Sequence, residues 1–145
     1  MRYICSTNKG RNGETLYPGH ADPMLSWQND NVIDFISDFT NANLFFYRTK
    51  FMSDEYNAKF TEYITEKLPK WMETLESMMG KHKFIVSDEI SMADIALTAL
   101  SLIHIYNPEF AHCHILQAVV DQFPKCRAYF EKLLAHFSYW TLTYN

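Results

Sequence analysis

Two short stretches hold the residue types that could do chemistry, His112-Cys113-His114 and Ser91-Met92-Ala93-Asp94. The first is the sequence's only cluster of soft metal ligands. Residues two apart on a helix point about 200° from one another, so His112 and His114 cannot grip one ion from the same helix. A zinc site wants four ligands, and no second cluster exists to complete one, so no metal site is expected. The second stretch is a capping box with Asp at its last position: Ser91 can accept from the Asp94 amide while Asp94 reaches back to the Ser91 amide. Ser91 and Asp94 therefore read as structural, because the first amides of a buried helix have no water to turn to and cost about 1–3 kcal/mol each if left unpaired. His104 reads as a core or interface histidine, since no partner base is identifiable for it.

The cysteines, Cys5, Cys113 and Cys126, are odd in number, scattered and without a CxxC pair. That pattern argues against a paired disulfide framework and points to an intracellular, reducing compartment, the cytoplasm first and a mitochondrial location as the other option. Lys67, Lys70, Lys81 and Lys83 are interleaved with Glu66, Glu73 and Glu76, the pattern of a solvated helix face rather than of a nucleic-acid patch. A formal charge of −4 agrees, so no direct nucleic-acid partner is expected.

The elements that position these residues follow from composition and periodicity. At 145 residues a folded chain buries roughly 68–70% of its unfolded surface, enough for one domain without staples. Hydrophobic residues at 48% and aromatics at 16% exclude intrinsic disorder, and four glycines with five prolines are too few for an all-β chain of tight turns. The most apolar stretch, Met92 to Ile105, carries Asp94, Thr98, Ser101 and His104 and is too short and polar to span a bilayer.

Met1 to Cys5 reads as the last turn of a helix, broken by Asn8 and Gly10. Asp22-Pro23 is a helix start, with an acceptor at the cap and a fixed φ after it. Leu25, Val32, Ile36, Phe39 and Phe46 then predict one long helix from Pro23 to Arg48. A second helix starts near Ser53 and runs to Gly80 through Tyr56, Phe60, Leu68, Met72 and Leu75, kinked at Pro69. The run Phe84-Ile85-Val86 has strand composition but no partner strand. The third helix, Ser91 to Ile105, is apolar on nearly every face and belongs at the centre of a bundle. Helices over Phe110 to Gln122 and Pro124 to His136 complete the expected fold, with an aromatic tail from Ser138 to Asn145 left unassigned.

The stretch from Lys81 to Ala96 resembles the element leading into the central helix of the glutathione S-transferase C-terminal domain: a hydrophobic pair, a polar turn, then Ser or Thr, two residues and Asp. Ser87 departs from it, standing where that family usually has Gly. Arg2-Tyr3-Ile4 resembles the helix end before the interdomain linker, Tyr17-Pro18 the linker of theta-like members, and Phe123-Pro124 with Tyr129-Phe130 the later helices.

The resemblance implies an all-α bundle of five to six helices, with residues 1–21 as the end of a preceding helix plus linker and 22–145 as the helical domain. It also implies that the family's glutathione site and catalytic residue belong to a thioredoxin-like domain ahead of Met1, so no catalytic residue and no cofactor is expected here. Glutathione would be a co-substrate only where that domain is present. In complete members the inner face of the first long helix lines the pocket for the hydrophobic co-substrate, which by position implies Phe39, Asn43, Phe46 and Tyr47. The competing reading makes them helix packing or an interface, since aromatic stripes at helical spacing are usually core.

Two functions are then in play. One is a structural or interaction module, with a protein partner or a homodimer; such domains are similar to those appended to elongation-factor and aminoacyl-tRNA synthetase subunits. The alternative is a piece of a theta-like glutathione transferase acting on hydrophobic electrophiles. The aromatic count, with Trp27, Trp71 and Trp140 among it, favours the first.

Overall fold

The computed structural model describes residues 2–10 and 12–138. Met1 and residues 139–145, hence most of the aromatic tail with Trp140, lie outside them. Among the described residues every regular element is helical and no strand forms.

Helix α1 spans Arg2–Thr7, and a single 3₁₀ turn at Gly19–Ala21 leads into α2, Pro23–Ala42. Asp22 caps α2 by accepting the Leu25 amide at 2.9 Å, as its residue type and the following proline require. The expected helix to Arg48 is interrupted. Asn43 ends α2 with its amide shared between the Phe39 and Thr40 carbonyls, and the one-turn α3 restarts at Phe45–Arg48. That tightened last turn swings Phe45 and Phe46 together, their ring centroids 4.1 Å apart.

Ser53 accepts the Tyr56 amide and opens α4, Asp54–Glu62. A π turn over Tyr63–Lys67 joins it to α5, Leu68–Met78. The kink expected from Pro69 takes this form: proline cannot donate to Thr65, and the widened turn passes the Leu68 amide back to Tyr63 instead. Residues 79–90 carry no regular structure, yet Phe84, Ile85 and Val86 are all buried.

Central α6, Met92–Leu100, continues through a second π turn, Ser101–Ile105. The next helix starts later than its periodicity suggests. Turns hold residues 107–112, and α7 is Cys113–Val120. Helix α8 is Pro124–His136. From Pro23 onward the described residues thus make five rods plus one-turn α3, the bundle expected from sequence. Met92, Ala93 and Leu97 of α6 are fully enclosed, with Phe39, Leu68, Met72, Leu116, Phe130 and Leu133 packed around the centre.

Residues 2–21 are tied to this bundle. Arg2 Nε meets Asp30 Oδ1 at 2.6 Å, Tyr17 donates to Asp30 Oδ2 at 3.1 Å, and the Leu16 carbonyl accepts the Met92 amide at 2.8 Å.

Candidate functional site: the inner face of α2 and the start of α6

The four residues implied for a pocket sit on α2, α3 and the turn between them, and the structure gives them unequal surroundings. Phe39 is fully buried, edge-on to Tyr63, Trp71 and His104 at centroid distances of 6.4, 5.7 and 6.4 Å. Asn43 is fully buried too, and neither its amide nitrogen nor its oxygen finds a hydrogen-bond partner. Its side chain lies beside the Tyr63 hydroxyl without closing a bond of normal geometry; burial pushes that phenol well above its usual range and the nearby amide tempers the shift. Phe46 is half-buried among Tyr56, Phe60, Tyr63 and Phe110. Tyr47 is exposed. Phe39, Asn43 and Phe46 therefore meet around Tyr63, and Tyr47 does not join them. A small molecule reaches Phe39 or Asn43 only if the bundle opens.

A groove of about 590 Å³ runs instead along a neighbouring face of α2. Val32, Phe35 and Trp71 form its apolar floor, with the Phe35 and Trp71 rings 4.8 Å apart, and Asn31, Asp34 and Asp38 form a polar rim. None of the four sequence candidates lines it. The i, i+3, i+7 spacing of Asn31, Asp34 and Asp38 marks this rim in the sequence, but polar spacing alone cannot tell a groove from an ordinary wet helix face. The groove can hold a ligand or a partner side chain; it contains no hydroxyl or thiol nucleophile to react with one.

The most connected polar centre is the start of α6. Asp94 Oδ2 accepts the Ser91 amide at 2.7 Å and the Ser91 hydroxyl at 2.6 Å, and the Asp94 amide faces Ser91 Oγ as the looser arm of the box. Asp94 Oδ1 accepts the Ile85 amide at 3.1 Å and the Tyr129 hydroxyl. Two further amides are met from a distance: Met92 by the Leu16 carbonyl, and Ala93 by Asn29 Oδ1 of α2 at 3.3 Å. The first-turn amides of a dry helix are thus accounted for one by one. Leu16, Asn29 and Tyr129 carry no local signal of this role, since each comes from a different part of the chain. With four donors on its two oxygens, the Asp94 carboxylate has no free acceptor site to take a substrate proton.

The remaining chemical candidates are dispersed. His112 stacks on Phe60 at 4.2 Å, His114 is exposed, and His104 is buried, its imidazole pushed below the ordinary range by desolvation. Among the described residues no three His, Cys, Asp or Glu side chains converge as metal ligands would. The three cysteines are free; burial raises the Cys5 thiol, and burial then Glu76 push Cys126 up to about 12. Among the described residues no helix is long and apolar enough to cross a membrane.

Three comparisons bear on this arrangement. The family model described as glutathione S-transferase, C-terminal domain, matches residues 38–138. The solved structure of rat hPGDS complexed with a quinoline shares the fold at a TM-score of 0.67 and 20% sequence identity. The match covers 98% of this chain and 63% of that one, so the chain spans less than two thirds of its structural neighbour. No curated protein matches the sequence.

Proposed function

Because the chain belongs to the glutathione S-transferase family through its C-terminal domain, we propose that this domain works as an interaction module of a larger assembly and not as a seat of conjugation chemistry. One observation carries the reading. Tyr3, Ile4, Met24 and Trp27 are 79%, 63%, 65% and 60% exposed on α1 and the first two turns of α2, the elements that the Arg2–Asp30 pair joins. Large exposed apolar side chains on two adjoining helices call for a cover, and Trp, Tyr and Met are enriched in the buried centres of interfaces.

The thiols support the same reading, because Cys5 and Cys126 are held protonated by burial and a thiol must ionise to attack an electrophile. The partner is a protein, either a second copy or a different chain, and not nucleic acid. The compartment is a reducing one, with the cytoplasm proposed.

The test is direct. Purified chain is expected to show no glutathione conjugation and no retention on glutathione resin, and to associate in sedimentation in a way that Trp27→Ser weakens. Robust turnover would overturn the reading. The second reading, part of a theta-like transferase in which glutathione is co-substrate and Phe39, Asn43, Phe46 and Tyr47 serve a hydrophobic pocket, draws on the 63% coverage of hPGDS. It predicts an upstream reading frame encoding a thioredoxin-like segment.

A further inference from the structure

We propose that the cleft between the 79–85 loop and α8 binds a small, soluble phosphate-bearing anion through Lys83, Lys125 and Lys132. The cleft has a volume of about 320 Å³, and no Asp or Glu side chain lines it. Elsewhere among the described residues Lys59 pairs with Glu55 and Lys67 with Glu62, whereas none of the three cleft lysines has a carboxylate partner there. Three unpaired cations in one concavity run against the chain's net charge of −4.

Two nearby carboxylates each turn one oxygen to backbone amides rather than to a lysine head. Glu76 Oε1 accepts the Lys125 and Cys126 amides at 2.9 and 3.2 Å, and Asp88 Oδ1 accepts the Lys83 amide at 2.8 Å. All three lysines line the one cleft.

Two of them share a fixed platform. Lys132 Nζ donates to the Lys83 carbonyl and lies 4.5 Å from the Phe84 ring centroid and 5.7 Å from that of Tyr129. Lys83 Nζ lies 5.4 Å from the same Phe84 ring. Phe84 and Tyr129 are buried, so the floor is apolar and polarises little in response to charge, which strengthens the field on an entering anion.

The donor set selects the ligand chemistry. Lysine is a compact point charge that holds phosphate oxygens without needing a planar partner, and three lysines in a lining free of Asp and Glu favour a multiply charged phosphate over a singly charged carboxylate. The volume lies at the small end of ligand sites, which fits a phosphate ester better than a long chain.

Inorganic pyrophosphate titrated into the full chain, followed by amide NMR shifts and calorimetry, tests this. Saturable binding is expected, weakened by added salt, with the largest shifts at Lys83, Phe84, Ile85 and Ala128. Lys83→Gln and Lys132→Gln should each weaken it about fivefold, while Lys67→Gln on another face leaves it unchanged. The shift map on the unmutated chain stands whether or not a variant folds. Absence of saturation, shifts centred elsewhere, or equal weakening by Lys67→Gln overturns the site. Tighter binding to phosphatidic acid vesicles than to pyrophosphate overturns the soluble ligand.

Discussion

The Tyr129 hydroxyl of α8 donates to the Asp94 carboxylate at the start of α6 and accepts the Ile85 amide at 2.9 Å. One phenol thereby fixes a helix start, an irregular buried loop and the C-terminal helix against each other. The Ile85 amide lies 44 residues from its acceptor in sequence, so the contact is made only once the bundle has closed. It explains why Phe84-Ile85-Val86 is buried without being a strand: Asp94 and Tyr129 take the Ile85 amide, and the Phe84 amide turns back to the Ser87 carbonyl at 2.8 Å.

Tyr129→Phe keeps the ring and removes both bonds of the hydroxyl. It should lower stability by about 1–3 kcal/mol, read as a shift in the urea midpoint at constant slope. The pH dependence has a definite sign. Burial first, and then the Asp94 carboxylate, raise the Tyr129 phenol far above its ordinary value. Its contribution is therefore complete below the unfolded value of about 10 and is lost as pH rises above it. Tyr129→Phe should flatten part of that alkaline decline; an unaltered alkaline limb would mean that the hydroxyl is not engaged.

Ser91→Ala deletes a hydroxyl donor to Asp94 and the acceptor facing the Asp94 amide. The expected loss is about 0.5–2 kcal/mol, the usual cost of a removed N-cap. Thermal unfolding of the variant checks it, and an unmoved midpoint would show that the box contributes nothing.

The two buried asparagines of the α2 region should behave oppositely. Asn29 donates to the Leu25 carbonyl at 3.0 Å and accepts the Ala93 amide, whereas Asn43 makes no bond with either polar atom. Asn29→Leu strands a buried amide and should cost about 1–3 kcal/mol. Asn43→Leu, similar in volume, removes an unmatched polar group and should leave stability unchanged or raise it by about 1 kcal/mol. If Asn43→Leu is the more damaging of the pair, its amide has a partner that matters.

What the sequence made legible was local. Asp22-Pro23, Ser53 and Ser91 each announce a helix start within four residues, and each helix begins there. Pro69 announces a disturbance but not its form, because the π turn depends on how α4 and α5 pack. The break at Asn43 is hidden by Phe45 and Phe46, which extend the apolar periodicity of α2 while packing with Tyr63 after the chain has turned. The four pocket candidates share one stretch of sequence but not one environment: Phe39 and Asn43 are sealed, and Tyr47 is open. The cleft lysines were the least legible, since Lys125 and Lys132 come from a helix far along the chain and meet Lys83 only through the fold.

The acid limb of stability should trace to His104. Desolvation holds its imidazole below the ordinary value of 6.5, and the Phe39 ring beside it offers no charge to stabilise a proton. A depressed folded value means the neutral form is favoured in the fold. The contribution is thus present above the unfolded value and is lost as pH falls below about 6.5. His112, lowered by burial and by neighbouring His114, adds to the same limb. Unfolding midpoints between about pH 7 and pH 5 should fall for the parent chain and fall less for His104→Gln, which carries no titrating group. A His104→Gln slope equal to the parent's would take the acid sensitivity away from His104.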